Sequence, residues 1–319
     1  MAQERINPAQ VDGFKGLNNR LQPPALGWSW QLEADNLLCD DAGFLVVRPG
    51  LRLVGTGYRD AFSARDGRLL LVTDSGALVS RAADGTETTL AASLSGAPFA
   101  WAEMGNTLFL LSRGGKWAVY PDRAIRWGSL CPAPALDGPV DAMAVYPPPD
   151  GEFVAARRNQ VAIAAYDSAT DRTALYFSRP DYPHEFRLEQ DYVMVAGRVR
   201  LLAGAQDYFL IGTDRALYAL GESLATLADY GASGPHVADE RGTLYFLTPR
   251  GLCRAFPFEP MTEPAHVPET RETVLLGLLP WSGSAYCIAH QTGETRTAPQ
   301  SVPYLPKPII AVHANGIPI

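Results

Sequence analysis

Five stretches of this chain share one shape: an apolar run, a polar turn carrying Gly, Asp or Pro, and a second apolar run. They are GRLLLVTDSGALVS, turning near Asp74; GNTLFLLSRGGKWAVY, near Gly114; QVAIAAYDSATDRTALYF, near Ala169; DYFLIGTDRALYAL, near Asp214; and GTLYFLTPRGLCRAF, near Pro249. Branched and aromatic side chains on both sides of a turn read as β-hairpins. Successive turns lie 35 to 55 residues apart, scattered around the roughly 40–45 residues of one four-stranded propeller blade. Each hairpin would supply the inner strands of a blade, and the weaker segments between hairpins its outer strands.

Two further hairpins flank the set, one turning near Asp41 in NLLCDDAGFLVVRPGLRLV and one near Thr292 in SAYCIAHQTGETRTA. If both combine into one blade, strands from the two ends of the chain close the ring and leave no open edge. The count is then about six blades, with five to seven allowed. The expected fold is all-β and β-propeller-like. A β-sandwich pair is the alternative, because strand spacing alone does not tell radial from layered packing. The 29 glycines and 26 prolines among 319 residues favour short strands joined by tight turns over helices.

The two ends differ from this middle. Residues 1–35 read as an extended arm with a short helical or turn segment near Trp30 to Leu37, and residues 36–298 as the propeller-like domain. Residues 299–319 hold five prolines, so they are expected to form an arm that donates no regular ladder of hydrogen bonds. The residues expected to bind a partner are Trp28 and Trp30 in the first arm, Arg48 at the end of the first hairpin, and Tyr304, Pro306, Ile309 and Ile310 in the last arm. Aromatic and branched side chains in proline-flanked arms suit burial against another surface.

Little in the chain points to chemistry. His184, His236, His266, His290 and His313 are dispersed, with no pair at the spacing of a helical metal site. Cys39, Cys131, Cys253 and Cys287 lie far apart and read as buried thiols. Asp74, Asp84, Asp171 and Asp214 could supply the two carboxylates of a glycosidase. Turns favour Asp on local grounds alone, however, since its side chain bonds its own backbone. The tryptophans other than Trp28 and Trp30 read as core. The expectation is a protein with no catalytic role, no cofactor and no metal. A formal net charge of -7 disfavours a groove that neutralises DNA phosphates. MAQERINPAQVDGF lacks an apolar signal core and no stretch approaches the length of a membrane span, which predicts a soluble chain made in a cytoplasm.

FKGLNNRLQPPAL followed by EADNLLCDDAGFLVVRPGLRLV resembles the amino-terminal pattern of tailed-phage virion β-propeller proteins of the head-to-tail and tail region, of nozzle or DNA-stabilisation type. The matching residues are Gly16, Asn18, Pro23, Asn36, Asp40, Gly43, Arg48, Pro49 and Gly50. VAGRVRLLAGAQDYFLIGTDRALYALGES, from Val195 to Ser223, is similar to a second recurrent element of these proteins, and the two together cover about a fifth of the chain. The resemblance implies a structural component of a virion, assembled in the host cytoplasm. It would form a homo-oligomeric ring, six copies being the count implied, around the DNA exit channel, and would contact portal, adaptor or tail proteins. DNA would pass without specific binding. Two competing expectations are a distal tail or baseplate protein that contacts the host receptor, and a carbohydrate-active propeller enzyme.

Overall fold

The computed structural model describes residues 56–260 apart from 83, 95–98, 113–114, 132–144, 206, 235, 239–241 and 256. Outside that span it describes the backbone of strands at 16–17, 30–31, 37–39, 45–47, 273–281, 284–291 and 309–313. The chain forms two compact units, one of residues 53–232 and one of residues 1–52 with 233–319.

The second of these opens with β1 (Gly16–Leu17) paired in parallel with β2 (Trp30–Gln31). Trp30 and Gln31 are therefore extended, against the helix or turn expected there, because strand pairing with Gly16 and Leu17 decides their backbone. β3 (Leu37–Cys39) and β4 (Leu45–Val47) form the antiparallel hairpin expected around Asp41.

The unit of residues 53–232 holds four successive antiparallel sheets. The first is β5 (Tyr58–Ser63), β6 (Leu69–Thr73), β7 (Leu78–Arg81) and β8 (Glu87–Ala91). The second is β9 (Ala100–Met104), β10 (Thr107–Ser112), β11 (Gly115–Val119) and β12 (Ala124–Arg126). A 3-10 turn at Trp127–Leu130 follows it. The third is β13 (Phe153–Arg157), β14 (Gln160–Asp167), β15 (Arg172–Arg179) and β16 (Tyr182–Phe186), with β17 (Tyr192–Ala196) also on β15. The fourth is β18 (Val199–Gly204), β19 (Phe209–Thr213), β20 (Leu217–Leu220) and β21 (Leu224–Ala228).

Each of the four hairpins read from the sequence in this unit is the central pair of its sheet. The weaker segments supply both edge strands, and not the outer ones alone: β13, a first strand, runs beside the first strands β9 and β18 of its neighbours. First strands thus converge on one inner line, as in a propeller.

Side-chain alternation sets the stacking. On β10, Leu108 and Leu110 pack with Leu70, Val72 and Leu78 of the first sheet, whereas Phe109 and Leu111 pack with Val154, Val161 and Ile163 of the third. On β14, Val161 and Ile163 face the second sheet, while Ala162 and Ala164 face Leu202, Phe209 and Ile211 of the fourth. A strand whose successive residues point to opposite faces can fill two cores only if its sheet is covered on both sides. In a two-layer sandwich each sheet has one solvent face, so the sandwich alternative is replaced by successive stacked blades. The fold is all-β and propeller-like.

In the other unit, β22 (His236–Ala238), β23 (Leu244–Thr248), β24 (Gly251–Ala255) and β25 (Glu259–Pro260) form a fifth meander, of four strands. It is followed by a three-stranded sheet of β26 (Thr273–Trp281), β27 (Ser284–Gln291) and β28 (Ile309–His313). Among the described residues there are five such meanders and this sheet, within the five to seven expected. Two details differ. The strand expected to follow Thr292 directly is replaced by β28, and both edges of β27 are taken, by β26 and β28. The blade expected to combine this hairpin with the one at Asp41 is therefore not one hydrogen-bonded sheet among the described residues. The last arm, too, is not free of ladder structure: Ile309 to His313 is a proline-free run, and it pairs with β27.

His236, on β22, is held by burial at a pKa of about 4, below the ordinary 6.5. The unfolded chain takes up this proton near pH 6.5 and the folded chain only near pH 4. Between those values the unfolded state binds more protons, so stability is full above pH 6.5 and falls as pH drops toward 4. The urea midpoint is expected to be lower at pH 5 than at pH 7, and the difference to shrink in His236→Gln. Equal pH dependence in the two chains would assign it to other groups.

Candidate functional site

At the end of the third and fourth blades where β13 turns into β14 and β20 ends lies a surface groove of about 410 Å³. Its floor is made by the core. Phe177, at the end of β15, and Phe209, at the start of β19, meet at 5.5 Å between ring centroids. The Arg157 guanidinium lies 5.3 Å from the centre of the Phe209 ring and donates to the carbonyls of Asp207 at 3.0 Å and Leu220 at 3.2 Å. One side chain thus ties the third blade to two points on the fourth. Arg157 reaches across because the alternation that buries Ala155 against the fourth blade also points residue 157 that way.

The rim is aromatic and polar. Tyr192, at the start of β17, leans against Tyr176 at 6.0 Å and remains 45% exposed. Arg187 donates to Asp191 at 2.7 Å, and Gln190 between them is exposed. Just beyond Pro180, Tyr182 is 52% exposed with the Arg179 guanidinium 4.6 Å from its ring centre. The turn at residues 187–191, closed by the backbone N–H groups of Gln190 and Asp191 on the Arg187 carbonyl, makes this rim, because it divides the outer strand of the third blade into β16 and β17. An aromatic floor with amide and phenol groups at the lip can hold an extended, carbonyl-bearing or ring-bearing ligand.

At the opposite end of the same blades sits an ion network. Arg198 donates from Nε and Nη2 to Glu152 at 2.9 and 2.6 Å, and its backbone N–H donates to Asp214 at 3.0 Å. The Tyr166 hydroxyl donates to Asp171 at 2.9 Å, and Arg215 pairs with the other oxygen of Asp171. The carboxylate that accepts the Tyr166 proton raises that tyrosine's pKa. Glu152 likewise raises the pKa of Arg198 by bonding to its charged form.

The structure therefore brings together Asp171 and Asp214, two of the four turn carboxylates weighed from sequence. Both are engaged with arginines or backbone, and Asp171 has a left-handed φ of 52°, as the turn reading requires. The other two stand apart: Asp74 lies 3.9 Å from Arg59, and Asp84 accepts the N–H of Thr86 in its own turn. Among the described residues no group of three or more His, Cys, Asp or Glu side chains has metal-site geometry, and no helix is long and apolar enough to cross a membrane.

Of the residues expected to bind a partner, Trp28, Arg48, Tyr304 and Pro306 lie outside the described residues. Trp30 starts β2, and Ile309 and Ile310 open β28. Trp127 is fully buried and Trp101 and Trp117 pack half-buried on the first core, as expected of core tryptophans. Cys253 is buried, but Cys131 is only partly so, because it follows the 3-10 turn at the surface end of the second blade. Burial lowers the pKa of His184, with Glu185 opposing. Sequence reasoning missed the groove. The one signal for it was the alternation of Tyr192 and Met194 with smaller residues in YVMVA.

No protein-family model matches the chain, and no curated protein matches it. Among solved structures it is similar to the extracellular domain of a hybrid two-component system from B. thetaiotaomicron, at 13% identity and a TM-score of 0.45. That likeness covers 79% of this chain and 36% of the other, so the chain spans about a third of that protein's length. It is also similar to a catalytically inactive virginiamycin B lyase from Staphylococcus aureus with quinupristin, at 10% identity and a TM-score of 0.44, covering 77% and 82% of the two chains. The WD40 domain of Neurospora crassa Pan2 gives 8% identity and a TM-score of 0.44, covering 73% and 72%.

Proposed function

We propose that this chain is a structural component of a tailed-phage virion, a ring-forming propeller protein of the neck or tail through which DNA leaves the head. The observation that carries the reading is the first hairpin. The segment from Asn36 to Gly50 that resembles these virion proteins has its two strands paired, Leu37 with Val47 through Cys39 with Leu45, around the acidic turn residues. The function is architectural and needs no reacting group. Blades buried on both faces are stiff, and a closed ring uses the same patch of every copy for each contact. The net charge of -7 repels phosphate, so DNA would pass without being held.

A second reading, a distal tail or baseplate protein that touches the host receptor, is favoured by the exposed Tyr182, Tyr192 and Met194. Imaging of intact particles labelled at residue 319 separates the two. Label between head and tail is the expected result. Label at the far tip would transfer the protein to host recognition, and particles without label would end the virion reading.

A further inference from the structure

We propose that the groove between the third and fourth blades seats the proline-rich segment of residues 299–308 from a second copy of this chain. The inference deepens the ring reading given above, on which the presence of a second copy rests.

The surface around the groove is unusual for this chain. Among the described residues the exposed large apolar side chains are Tyr182, Tyr192, Met194 and Leu224. All four sit on β16, β17 and β21, the outer strands of the two blades that form the groove. Apolar side chains gathered at one place mark a contact surface.

The chemistry of that surface fits a polyproline segment. Such a segment turns once every three residues and makes no internal hydrogen bonds. Residues three apart therefore face the same way, and its carbonyls are free to accept. Aromatic-lined grooves recognise P-x-x-P on this basis. Pro303-Tyr304-Leu305-Pro306 has that spacing, with Pro299 and Pro308 on either side. Tyr192 and the half-buried Val193 offer the apolar wall above the floor of Phe177 and Phe209, while the Gln190 amide and the Tyr192 hydroxyl stand at the lip as donors.

Charge agrees. The arginines at the groove are engaged: Arg157 with two carbonyls, Arg158 with Asp207, Arg179 with Glu185, Arg187 with Asp191. Asp181, Glu189 and Glu222, each adjacent in sequence to a lining residue, are in no ion pair among the described residues. The rim is thus left acidic. Residues 299–319 carry a single Lys or Arg, Lys307, directly after the P-x-x-P.

His290 of β27 pairs with Ile309 of β28, so the stretch from 292 to 308 starts and ends at this sheet. The 17 residues from 292 to 308 at about 3 Å each can extend about 25 Å from the sheet and return. Connections of this length in compact folds are commonly functional.

The test uses the purified full chain, its mass in solution by light scattering, and a labelled peptide of residues 299–308. Expected are multiples of 34.5 kDa, dissociated by excess peptide, and peptide binding weakened about tenfold or more by Tyr192→Ala. A peptide with Pro303→Ala and Pro306→Ala should not compete. Deleting residues 299–319 is unsuitable, because it removes β28. Three results would overturn the proposal. The first is no peptide binding. The second is self-association that neither peptide nor Tyr192→Ala changes, including the case where Tyr192→Ala abolishes adsorption to the host. The third is a monomer that binds peptide through Tyr192, which would mean the segment serves its own chain. Particles that lack the chain while the peptide still binds would sink the virion reading alone. A labelled neck without peptide binding would sink this one alone.

Discussion

Replacing Trp127 by alanine is expected to destabilise the unit of residues 53–232 by about 3–5 kcal/mol, the range for truncating a fully buried Trp or Phe. Trp127 begins the 3-10 turn after β12 and has no exposed surface. Its ring lies 4.5 Å from that of Phe109 and 6.1 Å from that of Phe186, between the second and third blades. Its Nε1 donates to the carbonyl of Pro183 at 3.1 Å. Alanine would remove the ring that joins two blades, leave Phe109 and Phe186 facing a void, and strand the Pro183 carbonyl. The stacked blades give the void little freedom to collapse, since Val154, Val161 and Ile163 are fixed in a sheet. Trp127→Phe keeps most of the packing and loses the hydrogen bond, so about 1–2 kcal/mol is expected. Denaturant midpoints of the two variants against the parent check both values. A loss below 1 kcal/mol in the alanine variant would mean that the blades repack freely, contrary to the two-faced core.

The central hairpins were readable from sequence for the same reason that Trp127 matters. TLFLLS on β10 is apolar at every core position because Leu108 and Leu110 serve one core while Phe109 and Leu111 serve the next. Such a run stands out in any window. The edge strands do not. ETTLA on β8 buries only Leu90, YRDAFS on β5 alternates half-buried with exposed residues, and LATLA on β21 has no fully buried residue. Their pairing is set by the blade they complete and not by their own composition. β26 escaped notice because Gly277 and Pro280 interrupt its pattern, yet the ladder passes Gly277 by a shift of register. The groove was hidden for a different reason. Phe177 and Phe209 lie in different blades and meet only once the blades have stacked. The split of the outer strand that makes the rim is the turn at residues 187–191 between β16 and β17, and no residue type in RLEQD demands one. Sequence thus located the blades through their centres, whereas the candidate site is built at their margins.

Gly204→Ala should be nearly as damaging, at about 3 kcal/mol, the upper part of the range for overpacking a tight contact. The cause is a lack of space, because Gly204 ends β18 where that first strand passes beside β13. A Cβ there would stand 1.7 Å from the carbonyl oxygen of Ala156 and 3.2 Å from the nitrogen of Arg157. Both obstacles are backbone atoms in a paired strand, so relief requires the third and fourth blades to move apart. Arg157 would then be drawn away from the carbonyls of Asp207 and Leu220 that it holds together. The floor of the groove and the stability of the blade pair should fail together, with the denaturation midpoint falling and peptide binding weakening in the same variant. Gly234 is the control, for among the described residues no atom beyond its chain neighbours stands within 4 Å of a Cβ built there. Gly234→Ala is expected to be neutral or to stabilise by up to about 1 kcal/mol through the unfolded chain. A Gly204→Ala chain as stable as the Gly234→Ala chain would show that the first strands are not in close contact, and with that the converging inner line of the propeller would be lost.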